Sequence, residues 1–471
     1  AETNSAPQVQ LIQTNVIYSR MWQEDLLQAL KKEQYQTGHA DVRIQISQLS
    51  RELQGPTNYL DLQANIYPGP QFHVGQVVFL GEKKTSESMM RRRVKIEADD
   101  LLNPVTAEQG RYRLARLGVF DRVELRYDHV DETTRDVEYD VKEGKVINFS
   151  LLAGFGSYEK LRGGFELEQF NVWGLAHYQR LKAVQSFKSS AADYTYTMPE
   201  LLGEDFDAFL NGSGLLRKEI SFERREFGGG AGVARHFREI ATDLSVRYNY
   251  QVLSALQQDF TPPPEYGLQE ATVGSFILDL KHTREDNPLT PRKGYKIFAD
   301  LELASPSLFG DANYQRMETS FAYHHPISEL QWVHFGFSHG FVTTPGDTAT
   351  DLPFNKRFFP GGDSSIRGYQ FGEAAARDEN GVLVGSESYM LANFEFEQGL
   401  TRAWSIVTFI DALGQARRIR DYPFNEELYS VGIGLRWNTM IGPVRLEYGH
   451  NLNPRPQDPD GTIQFSIGFP F

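Results

Sequence analysis

The alternation of apolar and polar residues in the carboxyl-terminal part of the chain limits its possible folds more than any other feature. From Val146 onward, runs of about ten residues alternate in polarity between Gly, Pro, Asp and Asn breakers, as in membrane-spanning β-strands. In the run from Leu428 to Trp437, apolar side chains hold every second position, and small or polar residues hold most of the others. Because successive side chains of a strand point to opposite faces, one face of such a strand meets lipid and the other lines a lumen.

The number of these runs predicts a closed barrel. The breakers divide residues 146–471 into about sixteen runs, an even number, as a closed antiparallel barrel requires. We therefore predict an all-β transmembrane antiparallel barrel. A soluble β-sandwich is the alternative, but its core does not need so many strands that end in aromatic residues such as Tyr448, Phe469 and Phe471.

Composition agrees with this prediction and excludes several classes of function. A mean hydropathy of -0.45 would suit a soluble protein, but only one face of each barrel strand has to be apolar. The net charge of -14 argues against a nucleic-acid partner. The chain has no cysteine, which excludes thiolate catalysis and zinc-thiolate sites. The Gly-x-Ser-x-Gly string from Gly336 to Gly340 lies inside an alternating strand, without the helix that an esterase needs. We predict no catalytic residue, metal or cofactor, and no enzymatic activity.

The amino-terminal region has a different pattern. Apolar residues between Trp22 and Leu30 recur at helical spacing, and strand-like runs follow at Asp41 to Leu49 and Asn58 to Ile66. Two prolines and a glycine then interrupt the chain at Pro68 to Pro70. The whole chain, at 471 residues, exceeds one ordinary domain of roughly 100 to 200 residues, so we expect two or three units.

A second small unit begins at Phe72, and its predicted order is β-α-α-β-β. Thr85 or Ser86 can cap the first helix, Pro104 suits the start of the second, and Gly118 can end the second in a left-handed conformation. The predicted strands and helices are Val74–Leu80, Ser86–Lys95, Thr106–Leu117, Val119–Tyr127 and Val137–Val141.

This order, together with the string Leu-x-x-Leu-Gly-x-Phe-x-x-Val from Leu114 to Val123, resembles a POTRA domain. POTRA domains are the periplasmic modules of the BamA/TamA outer-membrane assembly superfamily. The first unit resembles the helix and last two strands of another POTRA domain whose opening strand and first helix are missing or degenerate. We expect a partial or degenerate POTRA domain over residues 1–70, a POTRA domain over residues 71–145 and the barrel over residues 146–471.

The longest break between barrel strands runs from about residue 343 to 385, far beyond the few residues of an ordinary connection. It contains the string Phe358-Phe359-Pro360-Gly361-Gly362 and, four residues later, Ile366-Arg367-Gly368-Tyr369. This segment resembles the inward-folded sixth loop of the superfamily, whose tip reads Val/Ile-Arg-Gly-Phe/Tyr. The resemblance implies that Arg367 contacts acidic residues on the inner barrel wall.

Two later strands supply the acidic partners that the resemblance implies. Phe394-Glu395-Phe396 and Phe409-Ile410-Asp411 match the family's wall motifs. The alternation places Glu395 on the face opposite its phenylalanine neighbours, so its carboxylate should point into the lumen. A guanidinium there can bind carboxylates in a bidentate, charge-assisted way. We therefore predict that Arg367 binds Glu395 and Asp411, beside Phe409.

The first and last barrel strands are the second candidate element. The last strand, with Phe465, Ile467, Phe469 and Phe471 on one face, resembles the family's carboxyl-terminal β-signal. The resemblance implies a weak seam with the first strand, Val146 to Gly156, which can part laterally. Gly154 and Gly156 would remove side-chain packing there, and an open edge would accept an incoming strand. A stable first strand that merely contains glycine is the alternative.

The resemblance implies an assembly factor, closest to the TamA type, that inserts outer-membrane proteins such as autotransporters. Its implied partners are unfolded outer-membrane clients, the lipid bilayer and an inner-membrane-anchored or lipoprotein partner bound by the POTRA region. The barrel would lie in the bacterial outer membrane and the POTRA region in the periplasm. A two-partner secretion transporter is the alternative, although residues 1–19 are too short and strand-like for its plug helix. A passive porin would lack POTRA units.

Overall fold

The computed structural model describes residues 8–10, 16–203, 205–256, 264–288, 290–347, 351–439 and 442–467. The chain falls into two compact units. One comprises Ala1–Val146 and Phe170–His177, and the other comprises Ile147–Gln169 and Tyr178–Phe471. Among the described residues, no helix has the length and apolar character needed to cross a membrane.

The first part of the amino-terminal unit is one helix on a three-stranded sheet. Its elements are β1 (Gln8–Gln10), α1 (Arg20–Gln36), β2 (Arg43–Gln54) and β3 (Thr57–Tyr67), and the strands lie in the order β1-β3-β2. Ser19 caps the helix, because its side chain accepts a hydrogen bond of 3.0 Å from the backbone nitrogen of Trp22. The core between helix and sheet is formed by Leu30, Val42, Ala64 and Ile66.

The second part has the predicted β-α-α-β-β order. Its elements are β4 (His73–Leu80), α2 (Glu87–Val94), α3 (Pro104–Arg116), β5 (Phe120–His129) and β6 (Thr134–Glu143). The strand order is β4-β6-β5, and β4 runs parallel to β6. Both helices bury apolar side chains against the sheet, and Met90, Leu114 and Tyr139 lie at the centre of this core. The arrangement is an α+β domain with a core of its own.

The helix ends in this domain differ in part from the prediction. Asn103 caps α3, and its Oδ1 accepts hydrogen bonds from the backbone nitrogens of Val105 at 3.0 Å and Thr106 at 3.4 Å. Ser86 occupies the cap position of α2 but forms no capping hydrogen bond. The Thr85 hydroxyl is not a cap either, because it donates to Glu143 at 2.7 Å. The predicted side-chain capping by Thr85 or Ser86 was therefore wrong, because the Glu143 carboxylate on β6 binds the Thr85 hydroxyl instead. Gly118 adopts the predicted positive φ, 71°.

Sixteen antiparallel strands in the described part of the chain close into the predicted barrel. Ile433 is 55% exposed, and the residues directly before and after it in the strand are more buried. This pattern confirms that the two faces of the strand alternate along the sequence. The barrel strands are β7 (Ile147–Gly156), β8 (Lys160–Val172), β9 (His177–Ser186), β10 (Ser189–Met198), β11 (Phe206–Lys218), β12 (Glu223–Phe237), β13 (Thr242–Leu256), β14 (Glu270–Thr283), β15 (Gly294–Ala304), β16 (Tyr314–Ser328), β17 (Gln331–Thr343), β18 (Ser388–Gly399), β19 (Trp404–Ala416), β20 (Glu426–Thr439), β21 (Gly442–Asn451) and β22 (Gly461–Ile467).

The long connection between β17 and β18 is described over residues 344–347 and 351–387, and much of the latter segment is packed inside the barrel. We call it the inward loop. Its residues Phe358, Ile366 and Tyr369 share one apolar cluster with wall residues such as Leu253 and Leu413. Ile366 and Tyr369 are fully buried. A loop with its own buried core can hold a fixed position between the walls, which an exposed connection of this length could not.

Candidate functional site

The inward loop is closed at its neck by Arg357, whose side chain is fully buried. The guanidinium donates hydrogen bonds to the carbonyl oxygens of Val384 at 2.8 Å, Gly385 at 3.1 Å and Arg417 at 2.5 Å. It also forms an ion pair of 2.6 Å with Glu387. These bonds tie the two ends of the loop together and compensate a charge that would be costly to bury alone.

The start of the loop is attached to a different wall of the barrel. The Lys356 ammonium forms an ion pair of 3.0 Å with Glu302 on β15 and donates a hydrogen bond of 3.3 Å to Gln251 on β13. The Asn355 amide donates to the carbonyl oxygen of Ser254 on β13 at 3.2 Å. Together these contacts hold the neck of the loop against β13 and β15.

The tip of the loop reaches strands near the end of the chain. The Asn451 amide donates to the carbonyl oxygen of Gly368 at 3.0 Å, and the Gln464 amide donates to that of Tyr369 at 2.9 Å. Side chains of β21 and β22 therefore bind the backbone of the predicted tip motif. The loop crosses the lumen from β13 and β15 to β21 and β22.

Arg367 and Asp411, predicted as partners, lie together in the lumen. The Arg367 guanidinium donates to Asp411 through Nε at 2.9 Å and through Nη2 at 2.6 Å, a bidentate arrangement. The backbone nitrogen of Arg367 also donates to Asp411 at 3.0 Å. The Arg367 side chain is 3% exposed and that of Asp411 is 0% exposed. This is a buried, fully directional ion pair.

Glu395, the other predicted partner, accepts a hydrogen bond from Nη1 of Arg367 and also binds a second arginine. Arg436 on β20 forms an ion pair of 3.1 Å with Glu395 and one of 2.7 Å with Glu447 on β21. Glu447 lies 3.7 Å from Arg367 in turn. Glu397 on β18 lies 3.6 Å from Arg436 as well. With Asp411, two arginines and four carboxylates thus form one network, in which each buried arginine has several acidic partners, as burial of ions requires.

The ring of Phe409 packs against the guanidinium of Arg367. The Cζ atom of Arg367 lies 3.4 Å from the centroid of the Phe409 ring, in a cation–π position. Gly432 on the neighbouring strand leaves room for that ring, because a Cβ atom there would lie 2.1 Å from Phe409 Cζ. Asn393 adds a polar link, since its amide donates to Asp411 at 2.7 Å and to the carbonyl oxygen of Ser365 at 2.9 Å.

The seam between the first and last barrel strands is short among the described residues. There, β22 pairs with β7 at Ser466 with Gly156 and at Ile467 with Phe155. Just beyond β7, the backbone nitrogen of Ser157 donates to the carbonyl oxygen of Phe465 at 2.9 Å, and the backbone nitrogen of Phe465 donates to the Ser157 hydroxyl at 2.6 Å. By comparison, β7 pairs with β8 along its whole length from Ile147 to Gly156. Phe465 packs against Phe155, with ring centroids 5.7 Å apart.

The predicted seam residues occupy the following positions. A Cβ atom at Gly156 would meet nothing within 4 Å, so this glycine leaves open space. A Cβ atom at Gly154 would lie 2.8 Å from Nε of Arg162, so this position is crowded by a side chain of β8. Phe465 and Ile467 lie on β22. Phe469 and Phe471 lie outside the described residues.

Several residues of the site were missed by sequence reasoning. The alternation along β20 predicts that Arg436 faces the lumen, and this pattern is the sequence signal that indicates a charge there. The others were Arg357, Glu447, Asn451 and Gln464. Arg357, Asn451 and Gln464 bind backbone carbonyl groups, and Glu447 binds an arginine of the neighbouring strand. Local sequence patterns reveal neither kind of partner.

Two family models match this chain. The Omp85 superfamily domain matches residues 171–471, and a POTRA model, described as a surface antigen variable number repeat, matches residues 72–144. Among curated proteins, the chain is similar to the outer membrane protein assembly factor BamA of Nitratidesulfovibrio vulgaris. The two are 23% identical over 426 residues, covering 87% of this chain and 52% of that protein. The chain spans between 52% and 66% of the length of the curated relatives it matches.

Two solved structures have a similar fold. The structure of BamA from Haemophilus ducreyi lacking POTRA domains 1–3 matches with a TM-score of 0.74 and 16% identity, covering 97% of this chain and 94% of that one. The structure of CdiB from Acinetobacter baumannii matches with a TM-score of 0.55 and 13% identity, covering 96% of this chain and 82% of that one.

Proposed function

The chain belongs to the Omp85 superfamily, and we propose that it inserts other β-barrel proteins, including autotransporter-like clients, into the outer membrane. Its barrel lies in the outer membrane and its POTRA region in the periplasm. We further propose the division into a partial or degenerate POTRA domain over residues 1–70, a POTRA domain over residues 71–145 and the barrel over residues 146–471. A particular likeness to the TamA type stays a prediction.

The main support for this proposal is the pairing of β22 with β7 at the seam. Among the described residues, β22 is held to β7 at two register positions and by the hydrogen bond from Ser157 to Phe465, whereas β21 is held to β22 from Val444 with Ile467 to His450 with Gly461. Within this described part, parting the seam therefore breaks fewer backbone hydrogen bonds than parting β22 from β21. The freed edge of β7 would present unpaired backbone groups to an incoming strand, which is the strand-addition mode of recognition. A client strand would pair with β7 and pass sideways into the bilayer.

The inward loop favours insertion over the alternative, a two-partner secretion transporter that threads a polypeptide through its lumen. The loop is attached to β13 and β15 by Lys356 and to β19 by the Arg367 pair with Asp411. A thread through the lumen would have to displace these buried ion pairs, whereas lateral release leaves them in place. The fold that this chain shares with CdiB keeps the transporter as the second candidate.

The POTRA region would recruit partners. We propose that it captures unfolded outer-membrane clients and an inner-membrane-anchored or lipoprotein partner. Copurification with a partner anchored in the inner membrane would favour a TamA-like route, and copurification with lipoproteins would favour a BamA-like complex.

A disulfide across the seam tests the proposed lateral gate. Gly156→Cys with Ser466→Cys places two cysteines at a register pair, within the distance that a disulfide needs. The chain has no native cysteine, so only the introduced pair can form. We expect the oxidised protein in client-containing vesicles to lose client insertion and to regain it after reduction.

A second cysteine pair controls for the effect of oxidation itself. Ala392→Cys with Ala412→Cys bridges β18 and β19, which are already paired along their length, and should leave insertion unchanged. Full insertion by the oxidised seam variant would contradict a lateral gate. Export of a soluble polypeptide by that same locked barrel would support the transporter instead.

A further inference from the structure

A cavity lies inside the barrel directly behind the seam. Its volume is about 570 Å³, and it lies between the tip of the inward loop and the strands on both sides of the seam. Four of its lining side chains are cationic, namely Lys160, Arg162, Arg217 and Arg445. Glu159 and Asp363 are the acidic ones among the described lining residues. The cavity is therefore cationic in a chain whose net charge is -14.

Arg162 reaches across the first barrel strand towards the seam. It stands on β8, opposite Gly154 of β7. A Cβ atom at Gly154 would lie 2.8 Å from Nε of Arg162 and 3.1 Å from the carbonyl oxygen of Ile467 on β22. The missing side chain at position 154 thus lets a guanidinium from β8 lie over β7, next to the last strand. Its ion pair with Glu159 is long, at 3.5 Å.

Arg445 faces the cavity from the other side of the last strand. It stands opposite Ser466 in the register of β21 and β22. Within the described part of the chain, Arg445 forms no hydrogen bond or ion pair, although Arg436 repels it and Glu447, Asp363 and Glu395 attract it from a distance. Glu447 is already engaged by Arg436 at 2.7 Å. A half-buried guanidinium of this kind is poorly compensated.

Within its described residues, β22 places neutral side chains on the cavity face. Its side chains on the cavity face are Thr462, Gln464 and Ser466. The Gln464 amide is used to bind the backbone of the inward loop at Tyr369. The closed seam therefore leaves a cationic wall opposite neutral side chains, and a strand bearing a carboxylate at the position of Ser466 would complement it better.

We propose that this cavity recognises an aspartate or glutamate on the inner face of a strand that takes the place of β22 between β21 and β7. The inference rests on the proposed function and names its substrate class: client strands with an acidic side chain on the luminal face. Directly opposite residues on one face of a sheet come within about 5.5 Å at Cβ. At that distance a carboxylate can form a charge-assisted hydrogen bond with a guanidinium. Such a client strand would compete with β22 because it forms ion pairs that β22 lacks.

The first test uses the full chain in detergent and needs no client. We compare the unfolding rates of Ser466→Asp and Ser466→Asn, which have nearly the same shape, in the native background and with Arg445→Gln. A charge-assisted bond should make the aspartate variant unfold roughly tenfold more slowly than the asparagine variant. The difference should vanish with Arg445→Gln. Equal rates in the native background, or a difference that survives Arg445→Gln, would overturn the inference.

The second test measures strand addition. Peptides with the sequence of residues 461–471, carrying cysteine in place of Ile467 and either Asp or Asn in place of Ser466, are offered to the full chain with Phe155→Cys. Ile467 and Phe155 are register partners, so strand addition brings the two cysteines together. We expect several-fold more disulfide with the aspartate peptide, a smaller preference once Arg162→Gln is introduced, and equal yields once Arg162→Gln and Arg445→Gln are combined.

These results distinguish a failure of the carboxylate preference from a failure of strand addition itself. Equal yields of the two peptides on the native background would contradict the carboxylate preference while leaving strand addition intact. A preference that survives both Arg162→Gln and Arg445→Gln would contradict the assignment to this cavity. Failure of both peptides to cross-link would contradict strand addition, and with it both the proposed function and this inference.

Discussion

The side chain of Asn451 occupies the space that a side chain at Gly368 would need. A Cβ atom at Gly368 would lie 1.6 Å from Oδ1 of Asn451, while Nδ2 of the same side chain donates a hydrogen bond of 3.0 Å to the Gly368 carbonyl oxygen. The glycine of the loop tip is therefore required by close packing, since the structure assigns it no positive φ. It lets β21 bind the loop backbone directly.

Gly368→Ala should lift the loop tip from the wall. Overpacking of this kind costs roughly 1–3 kcal/mol, so we expect the heat-modifiable gel shift to occur at a lower temperature. Gly163→Ala is the matched control, because a Cβ atom there would find no atom closer than 3.8 Å. An unchanged transition for Gly368→Ala, or an equal loss in both variants, would contradict the close packing.

Asp411→Asn should destabilise the barrel more than Glu395→Gln does. Asp411 is the fully buried, bidentate partner of Arg367, whereas Glu395 is 16% exposed at its side chain and has Arg436 as well. Breaking one partner of a buried pair costs roughly 3–5 kcal/mol. Urea unfolding of the two variants in detergent measures the difference, and the opposite ranking would show that Glu395 is the main anchor.

Arg357→Gln should open the neck of the inward loop. The substitution removes an ion pair with Glu387 and hydrogen bonds to three carbonyl oxygens. Each charge-assisted hydrogen bond contributes roughly 1.5–3 kcal/mol, so protease cleavage between residues 358 and 385 should accelerate at least about tenfold. Arg420→Gln, at an exposed position, should leave cleavage unchanged. Resistance equal to that of the native protein would mean that Arg357 is dispensable for the loop.

Acid should loosen the segment between β4 and α2 through Glu143. Burial alone would raise the pKa of Glu143, but hydrogen bonds from the Thr85 hydroxyl and from the backbone nitrogens of Lys84, Thr85 and Lys83 outweigh it and lower the pKa to about 2. Because the folded pKa is depressed, the stabilisation is complete above the ordinary pKa of 4.5 and is lost as pH falls from there towards 2.

Hydrogen exchange of the amides at Lys83, Lys84 and Thr85 in the full chain measures this loss. After correction for the intrinsic exchange rates, the protection of these amides should be weaker at pH 3 than at pH 5. The higher value lies above the ordinary pKa of Glu143 and the lower value lies below it. Glu143→Gln should show weak protection at both values. A pH-independent protection in the native protein, or an undiminished one in the variant, would contradict the role of the carboxylate.

The architecture and the main ion pair of the site could be predicted from the sequence, because both depend on local patterns. Alternation gave the two faces of the barrel strands, and resemblance linked Arg367 to Glu395 and Asp411. The position of a residue along the barrel axis could not be predicted, since it depends on the stagger between strands. Arg436 and Glu395 stand on β20 and β18, with β19 between them, and meet only through that stagger.

The caps and the loop neck were unpredictable for a related reason. Thr85 has the right side chain and position to cap α2, but Glu143 on β6 takes its hydroxyl. Arg357 binds carbonyl groups, which every residue carries, so nothing in the sequence distinguishes its partners. In both places the local sequence allows several hydrogen-bonding partners, and a residue far along the chain determines which one is used.

The path of the inward loop across the lumen has an electrical consequence. Open barrels of sixteen to eighteen strands leave an aqueous channel, but here the loop joins β13 and β15 to β21 and β22 through the interior. Such a barrel should add little conductance to a planar bilayer. A cell could then keep many copies in its outer envelope without losing small solutes or admitting antibiotics through them.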